Sequence, residues 1–466
     1  MFRTWIDETP TLVGTTVTLF GWVHRIRRMG DKLIFVDLRD GSGLVQVVFY
    51  KPALEASAVE GVDELKLEYV IKITGEVHAR NEKQVNPDML TGIIEIGVSE
   101  LTIVNRAQTP PFEIDQDTSN VSEALRLRYR YLDLRTERLQ KNIRLRNAYV
   151  QACRQFLLSK RFIEIETPYL TQATPEGSRD FVVPSRLQPG EFFALPQSPQ
   201  QYKQLLMTAG FDRYFQLARC FRDEDPRADR GFEHTQIDVE MSFVERDDVM
   251  ETIEAMVTQA VESLGFTMKE KPFPRFTYQE AMEKFGADKF DLRTEEDKQH
   301  GVFAYAWVVD FPFFERDEKT GKWTFTHNPF SAPKREFLQD HLEGKHIDQI
   351  LTTQYDLVCN GYEVGGGSIR AHNPEVLRAT YKNMGYSDEE IQHSVGHMIE
   401  AFTFGAPPHG GIGMGVERTV MIMAHEQYLR EVQAFPMTSS GRVSVMDAPS
   451  ELDAQALQDL HIQVRK

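Results

Sequence analysis

The chain has 466 residues, 41% of them apolar and 26% charged, with 53 Lys and Arg against 70 Asp and Glu for a formal charge of −17. This is the composition of a globular protein with room for roughly two to four domains, and it excludes a disordered chain and a polycation-type nucleic-acid binder, though not a local basic patch. No run approaches the roughly 18 apolar residues of a membrane span, the start MFRTWIDETP has no apolar leader pattern, and Cys153, Cys220 and Cys359 lie far apart, so a reducing, cytoplasmic location is expected.

Residues 1–104 hold five short alternating segments, TVTLFGWV, KLIFVDLRD, LVQVVFY, YVIKITGEVHA and GIIEIGVSELTIV. Strand side chains alternate between two faces, and five such strands in this length suit a small closed barrel of the OB type, with a β-sandwich as the alternative. Residues 105–121 are polar, contain Pro110–Pro111 and show no period, which reads as a linker. The linker or hinge extends to 137, ahead of a second domain at 138–466. Ser122 is a candidate helix N-cap. Between 121 and 146 eight Lys/Arg face three Asp/Glu, either a solvated helical face or a surface for phosphates. Further on, helices and strands mix without a βαβ rhythm. RYFQLARCFRD and HTQIDVEMSFVE read as an antiparallel pair, so the second domain is expected to be an antiparallel sheet flanked by helices, making the whole chain α+β.

There is no GxxxxGK[ST] phosphate loop, and the glycines at 411, 413 and 415 lead into the helix-like GVERTVMIM. A nucleotide site here must therefore use arginines and carboxylates. The stretch CFRDEDPRADRGFEHTQIDVEMSF puts Arg222 and Glu224 on one face of a strand, and Gln236, Asp238 and Glu240 on one face of the next. Guanidinium and carboxylate side by side can grip a phosphate and a base or ammonium at once, and Arg227, Asp229 and Arg230 of the intervening loop could reach a polyanion. Taken alone, the same residues could be a surface ion-pair ladder. RFIEIETPYL, GYEVGGGSIR and GMGVER add a Thr-Pro strand end, Glu363 and Arg370 around three glycines, and Arg418.

Together these segments resemble motifs 1, 2 and 3 of the class II aminoacyl-tRNA synthetases. TPEGSRDF, PQSPQQYKQLLM, FRDED, TQIDVEMSF, HNPF and AFPMTSSGR, with GWVHRIRR and FVDLRDGSGLVQVVF in the barrel, are similar to the bacterial-type aspartyl-tRNA synthetases. The resemblance implies two steps: aspartate attacks the α-phosphorus of ATP, and the 3′ end of an aspartate tRNA, or of both aspartate and asparagine tRNAs, then takes the aspartyl group. It implies that Arg222 bridges the reacting carboxylate and α-phosphate, that Glu224 contacts adenosine, and that Arg418 holds the far end of the nucleotide. Asp223, His234, Gly415, Val416 and Glu417 would complete the ATP site, and Asp356 and Glu363 would hold Mg²⁺. Lys203 and Arg370 would take the aspartate side chain and Asp238 its ammonium, with Glu176, Gln200 and His327 at the pocket's border. In the barrel, Phe35 and Gln46 would read the anticodon, and Arg25, Arg27 and Arg28 would meet phosphates. A homodimer is implied through RFIEIETPYL, with no membrane partner. Asparaginyl- and lysyl-tRNA synthetases share the layout, and an RNA-binding protein with a decayed synthetase body is a non-enzymatic alternative.

The chain also departs from the family pattern. KFDLRTEEDKQHGVFAYAWVVDF bridges the region where bacterial-type members carry an inserted domain. Gly231 replaces a usual glutamine, His234 a phenylalanine, Glu417 an aspartate and Asn328 a second histidine.

Overall fold

The computed structural model describes residues 3–173 and 176–465, and the chain folds into two compact units that meet at Ser122/Glu123 in the sequence. In the first, strands β1 (Thr16–Met29), β2 (Leu33–Arg39), β3 (Leu44–Tyr50), β4 (Val70–Ala79) and β5 (Ile94–Asn105) close into a barrel in the order β1-β2-β3-β5-β4. Alternation decides the interior: Val17, Leu19, Ile34, Val36, Val45, Val47, Ile71 and Ile73 all point into one apolar core. Gly21 lies against the Arg39 carbonyl and Gly75 against that of Gly97, where a Cβ would collide, so both sites require glycine for strand closure.

The second unit is built on an eight-stranded sheet. Its strands are β6 (Ile163–Glu164), β7 (Arg213–Phe221), β8 (Glu233–Ser242), β9 (Arg275–Thr277), β10 (Tyr305–Val309), β11 (Tyr355–Cys359), β12 (Tyr362–Ile369) and β13 (His409–Gly415). They run in the order β9-β10-β11-β12-β13-β8-β7-β6, antiparallel except for the β9–β10 and β6–β7 pairs at the two edges. Helices α1 (Glu137–Ser159) and α2 (Arg246–Ser263) share one core with this sheet. Ile237, Val239 and Met241 of β8 point into that core, so Gln236, Asp238 and Glu240 are left on the opposite face. The pairing of Arg222 N–H to the Phe232 carbonyl (2.8 Å) and of β7 with β8 makes the expected antiparallel pair.

The basic stretch at 121–146 is a surface only in part: Arg128, Lys141 and Arg144 are exposed, whereas Arg126, Arg130 and Arg138 turn inward. Arg126 and Arg130 are 6% and 1% exposed. Arg126 makes paired contacts with Glu431 (3.1 and 2.9 Å), Arg130 reaches Asp133 at 2.7 Å, and Arg138 joins Glu426 (2.8 Å) and Glu431 (3.0 Å). These arginines serve as internal struts between the start of the second unit and its C-terminal segment. The three cysteines are buried and unpaired.

Candidate functional site

Above the polar face of the sheet lies a cavity of about 880 Å³. Lys203, Asp238 and Arg370 line its floor, and Glu240 behind them completes a buried charge quartet, each member no more than 2% exposed. Lys203 comes from the short helix Gln200–Thr208, Asp238 and Glu240 from β8, and Arg370 follows β12. The Lys203 ammonium lies 2.7 Å from Asp238 and 3.3 Å from Glu240. Arg370 donates to both oxygens of Glu240 at 2.9 and 3.2 Å, and to Ser368 Oγ at 2.9 Å. Burial works to raise the Glu240 carboxyl, but Arg370 and Lys203 outweigh it and hold it below its ordinary value. Burial wins at Asp238, whose carboxyl is raised despite Lys203. The second oxygen of Asp238 is buried and has no hydrogen-bond partner among the described residues. Glu240 was legible on the same strand face as Asp238, but its tie to Arg370 was not.

Toward the other end, Arg222 and Arg418 line the same cavity, and each buries an Nε that has no partner among the described residues. Arg418 lies in the first turn of α3 (Val416–Met423). It donates to the Glu363 carbonyl and approaches the Asp229 carboxylate at 3.3 Å. Glu224 accepts from Ser178 Oγ and faces Arg230 at 3.5 Å. His234 hydrogen-bonds with the Gln236 amide at 3.0 Å, and burial with nearby Arg222, Arg418 and Arg219 holds its imidazole down at about 3. It is therefore a neutral ring at the Arg222 and Arg418 end of the cavity.

Asp356 and Glu363 converge on Gly366, where a Cβ would come within 3.0 Å of Asp356 Oδ1 and 3.6 Å of Glu363 Oε1. Burial pushes the Asp356 carboxyl up to about 7, against the pull of His327 and with the push of Glu363. His327 Nδ1 is 3.8 Å from Asp356, and Gln354 donates to Asp356 at 2.7 Å. Asn328, the residue in place of a histidine, donates to Gln354 at 3.2 Å. Glu176 accepts from Ser198 Oγ at 2.5 Å, and Gln200 donates to Gln204 at 3.1 Å, both on the cavity wall. Thr174 and Pro175 of the TPEGSRD loop lie outside the described residues.

Three of the residues grouped by sequence point elsewhere. Asp223 is bound by the Arg179 side chain at 3.4 Å and does not line the cavity. The Val416 side chain is wholly buried in the core. Glu417 lines the cavity, but its carboxylate accepts from the Thr235 N–H (2.9 Å) and Arg146 (3.2 Å), tying α3 to β8 and α1.

On the barrel, Arg27 stands opposite Phe35 and Asp37 opposite Gln46. Arg27 reaches both Asp37 (3.1 Å) and Gln46 (2.9 Å), and Gln46 in turn reaches Glu95 at 3.1 Å. Phe35 is half-buried and outside the barrel core. Arg25 is tied to Asp115 at 3.3 Å. Arg28 stands opposite the core residue Ile34 and turns to the Val62 carbonyl (3.4 Å) and Asp63 (3.7 Å), away from this set.

Comparison with known proteins identifies the family of each unit. Residues 122–439 match the family of class II tRNA synthetases (D, K and N), and residues 17–104 the OB-fold nucleic acid binding domain. The aspartate–tRNA ligase of Macrococcus caseolyticus is 37% identical, covering 98% of this chain and 97% of its own. The aspartate–tRNA(Asp/Asn) ligase of Caldanaerobacter subterraneus is 39% identical over 97% and 96%. The alignment with the Macrococcus protein spans 581 positions against a chain of 466, so at least 115 positions of that relative have no counterpart here, in keeping with the short bridge after Asp288. Among solved structures, the Pyrococcus horikoshii asparaginyl-tRNA synthetase complexed with asparaginyl-adenylate superposes with a TM-score of 0.75 at 24% identity, over 94% of this chain and 98% of its own. The Entamoeba histolytica aspartyl tRNA synthetase superposes with 0.73 at 24% identity, over 93% and 91%. With an OB barrel, the class II sheet and near full-length identity to aspartate–tRNA ligases, the chain belongs to the class II aminoacyl-tRNA synthetases, in the aspartate–tRNA ligase family.

Proposed function

We propose that the chain activates L-aspartate with ATP and transfers it to the 3′ end of an aspartate tRNA. The observation that carries this reading is the charge quartet. Two cations and two anions balance at the cavity floor. L-Aspartate adds one carboxylate for Arg370 and Lys203 and one ammonium for the free oxygen of Asp238, so the balance is kept. Asparagine would add the ammonium alone and leave a buried charge unmatched, a strong basis for discrimination. Glu176 and Gln200 border the bound amino acid.

In the first step Arg222 draws the α-carboxylate and the α-phosphate together. It stabilises charge as the carboxylate oxygen attacks phosphorus and pyrophosphate leaves. Glu224 and His234 border the adenosine and Arg418 its far end; the neutral His234 ring suits an uncharged base. Asp356 and Glu363 fit a Mg²⁺ ion, since two converging carboxylates leave coordination positions for phosphate oxygens. Such an ion neutralises phosphate charge when bound. In the second step the tRNA 3′-hydroxyl attacks the acyl carbon and AMP leaves. Phe35 and Gln46 would contact anticodon bases on the barrel face, with Arg25 and Arg27 toward the phosphates, as unpaired bases are read on OB folds.

A cytoplasmic homodimer completes the proposal. Leu158, Ile163 and Leu170, about the RFIEIETPYL segment, are 49–53% exposed, an apolar surface suited to a two-fold contact. Pyrophosphate exchange with each of the twenty amino acids tests the activity: aspartate alone should support it, and exchange with asparagine instead would overturn it. Charging of aspartate and asparagine tRNAs by the same enzyme then defines the tRNA range.

A further inference from the structure

Lys289 opens the short bridge between the second and third motifs. Its ammonium lies 2.8 Å from Oε2 of Glu363, and it lines the central cavity. Glu363 is gripped at both ends, its carbonyl by Arg418 and its carboxylate by Lys289. One residue's length therefore separates the Lys289 ammonium from the guanidinium that faces the nucleotide. The Lys289 side chain is 40% exposed, on a flexible four-carbon stem that can swing about its ordered partner.

A monovalent and a divalent cation compete for the Glu363 carboxylate. Once a divalent ion is seated there, it repels the ammonium at short range. The ammonium still feels Asp288, which lines the cavity beside it, and the phosphate oxygens that arrive with the ion are the further anions its stem can reach. We propose that Lys289 is a nucleotide-positioning residue: its ammonium holds the Glu363 carboxylate before nucleotide binds and passes to a phosphate oxygen when the metal–nucleotide complex enters. This rests on the reading of Glu363 as a metal ligand. The transfer is one of hydrogen bonds and charge, and no covalent bond changes.

A lysine that merely balances Glu363 predicts the opposite sign, because removing it would free the carboxylate for the metal and tighten nucleotide binding. The full chain carrying Lys289→Met, Lys289→Gln or Lys289→Arg separates the two. Calorimetric binding of a magnesium-loaded, non-hydrolysable ATP analogue should weaken about tenfold or more in the Met and Gln variants, the worth of one charge-assisted hydrogen bond. It should recover in the Arg variant, and the aspartate KM should stay unchanged in all three. Mn²⁺ alone, followed by electron paramagnetic resonance, should bind the Met and Gln variants more tightly as the competing ammonium is lost. Nucleotide binding in Lys289→Met and Lys289→Gln equal to or tighter than in the parent would overturn the inference, while aspartate-dependent exchange by the parent keeps the underlying activity standing. A parent chain inactive in exchange would sink the activity itself.

Discussion

Replacing Glu240 by glutamine is the sharpest test of the buried quartet. Glu240 is fully buried and makes three charged contacts, two from Arg370 at 2.9 and 3.2 Å and one from Lys203 at 3.3 Å. Glutamine has one acceptor oxygen in place of two, and its amide N–H₂ must face a guanidinium or an ammonium that also donates. The quartet goes from balanced to one net positive charge. Removing one partner of a buried pair costs about 3–5 kcal/mol, and the retained acceptor places this change near the lower end, ~3 kcal/mol. Urea denaturation followed by far-ultraviolet circular dichroism reads that loss. Arg370 also loses the two-point contact that fixes its plane, so the aspartate KM should rise at least about tenfold, roughly 1.4 kcal/mol. The ATP KM should hold, since Glu240 touches neither Arg222 nor Arg418. A Glu240→Gln variant within about 1 kcal/mol of the parent, with an unchanged aspartate KM, would show that the quartet neither supports the fold nor orients the pocket.

How much of this was legible in sequence depended on the distance over which each contact acts. The barrel was legible because period-two alternation sorts Ile34, Val36 and Leu38 inward without reference to anything remote. The same rule put Asp238 and Glu240 on one face. What it could not supply was the partner: Arg370 lies 130 positions from Glu240, and Glu431 lies 305 from Arg126, so neither pair leaves a local trace. Without Glu431 in view, Arg126 read as surface charge. Where grouping by motif replaced periodicity, side chains were misdirected. Arg27 and Arg28 are neighbours in sequence and opposite in direction, because strand faces alternate. Val416 and Arg418 begin one helix, yet successive residues there turn by about 100°, so one enters the core and the other faces the cavity. Lys289 gave no signal at all, since a lone lysine in a polar bridge is ordinary until Glu363 is brought beside it.

Arg222→Ala should cut aspartate-dependent pyrophosphate exchange by roughly 100-fold or more, the usual loss of a donor aimed at developing charge, with melting temperature little changed. A fall of less than about tenfold would reassign the residue. Phe35→Ala should raise the tRNA KM by about tenfold, within the roughly 1–3 kcal/mol of a stacked base, and leave exchange intact. Because the ring is outside the barrel core, the barrel should melt as in the parent; a destabilised barrel with a normal tRNA KM would refute the stacking role. Acid should weaken the fold through histidines buried as neutral rings. Burial holds His341 and His409 down at about 4, below the ordinary 6.5 of an unfolded chain. As pH falls below 6.5 the unfolded state takes up protons that the folded state refuses, so stability present at pH 7 is lost progressively until pH approaches 4. Each ring costs about 2 kcal/mol on going from pH 7 to pH 5. His341 separates this effect from the site, for it packs against the stacked rings of Phe313 and Phe314, touches Thr380 at 3.0 Å and does not itself line the cavity. His341→Gln should therefore lose about 2 kcal/mol less than the parent between the two pH values in urea unfolding. Equal losses in the two proteins would mean that the imidazole can be protonated in place, and that its burial does not exclude the charge.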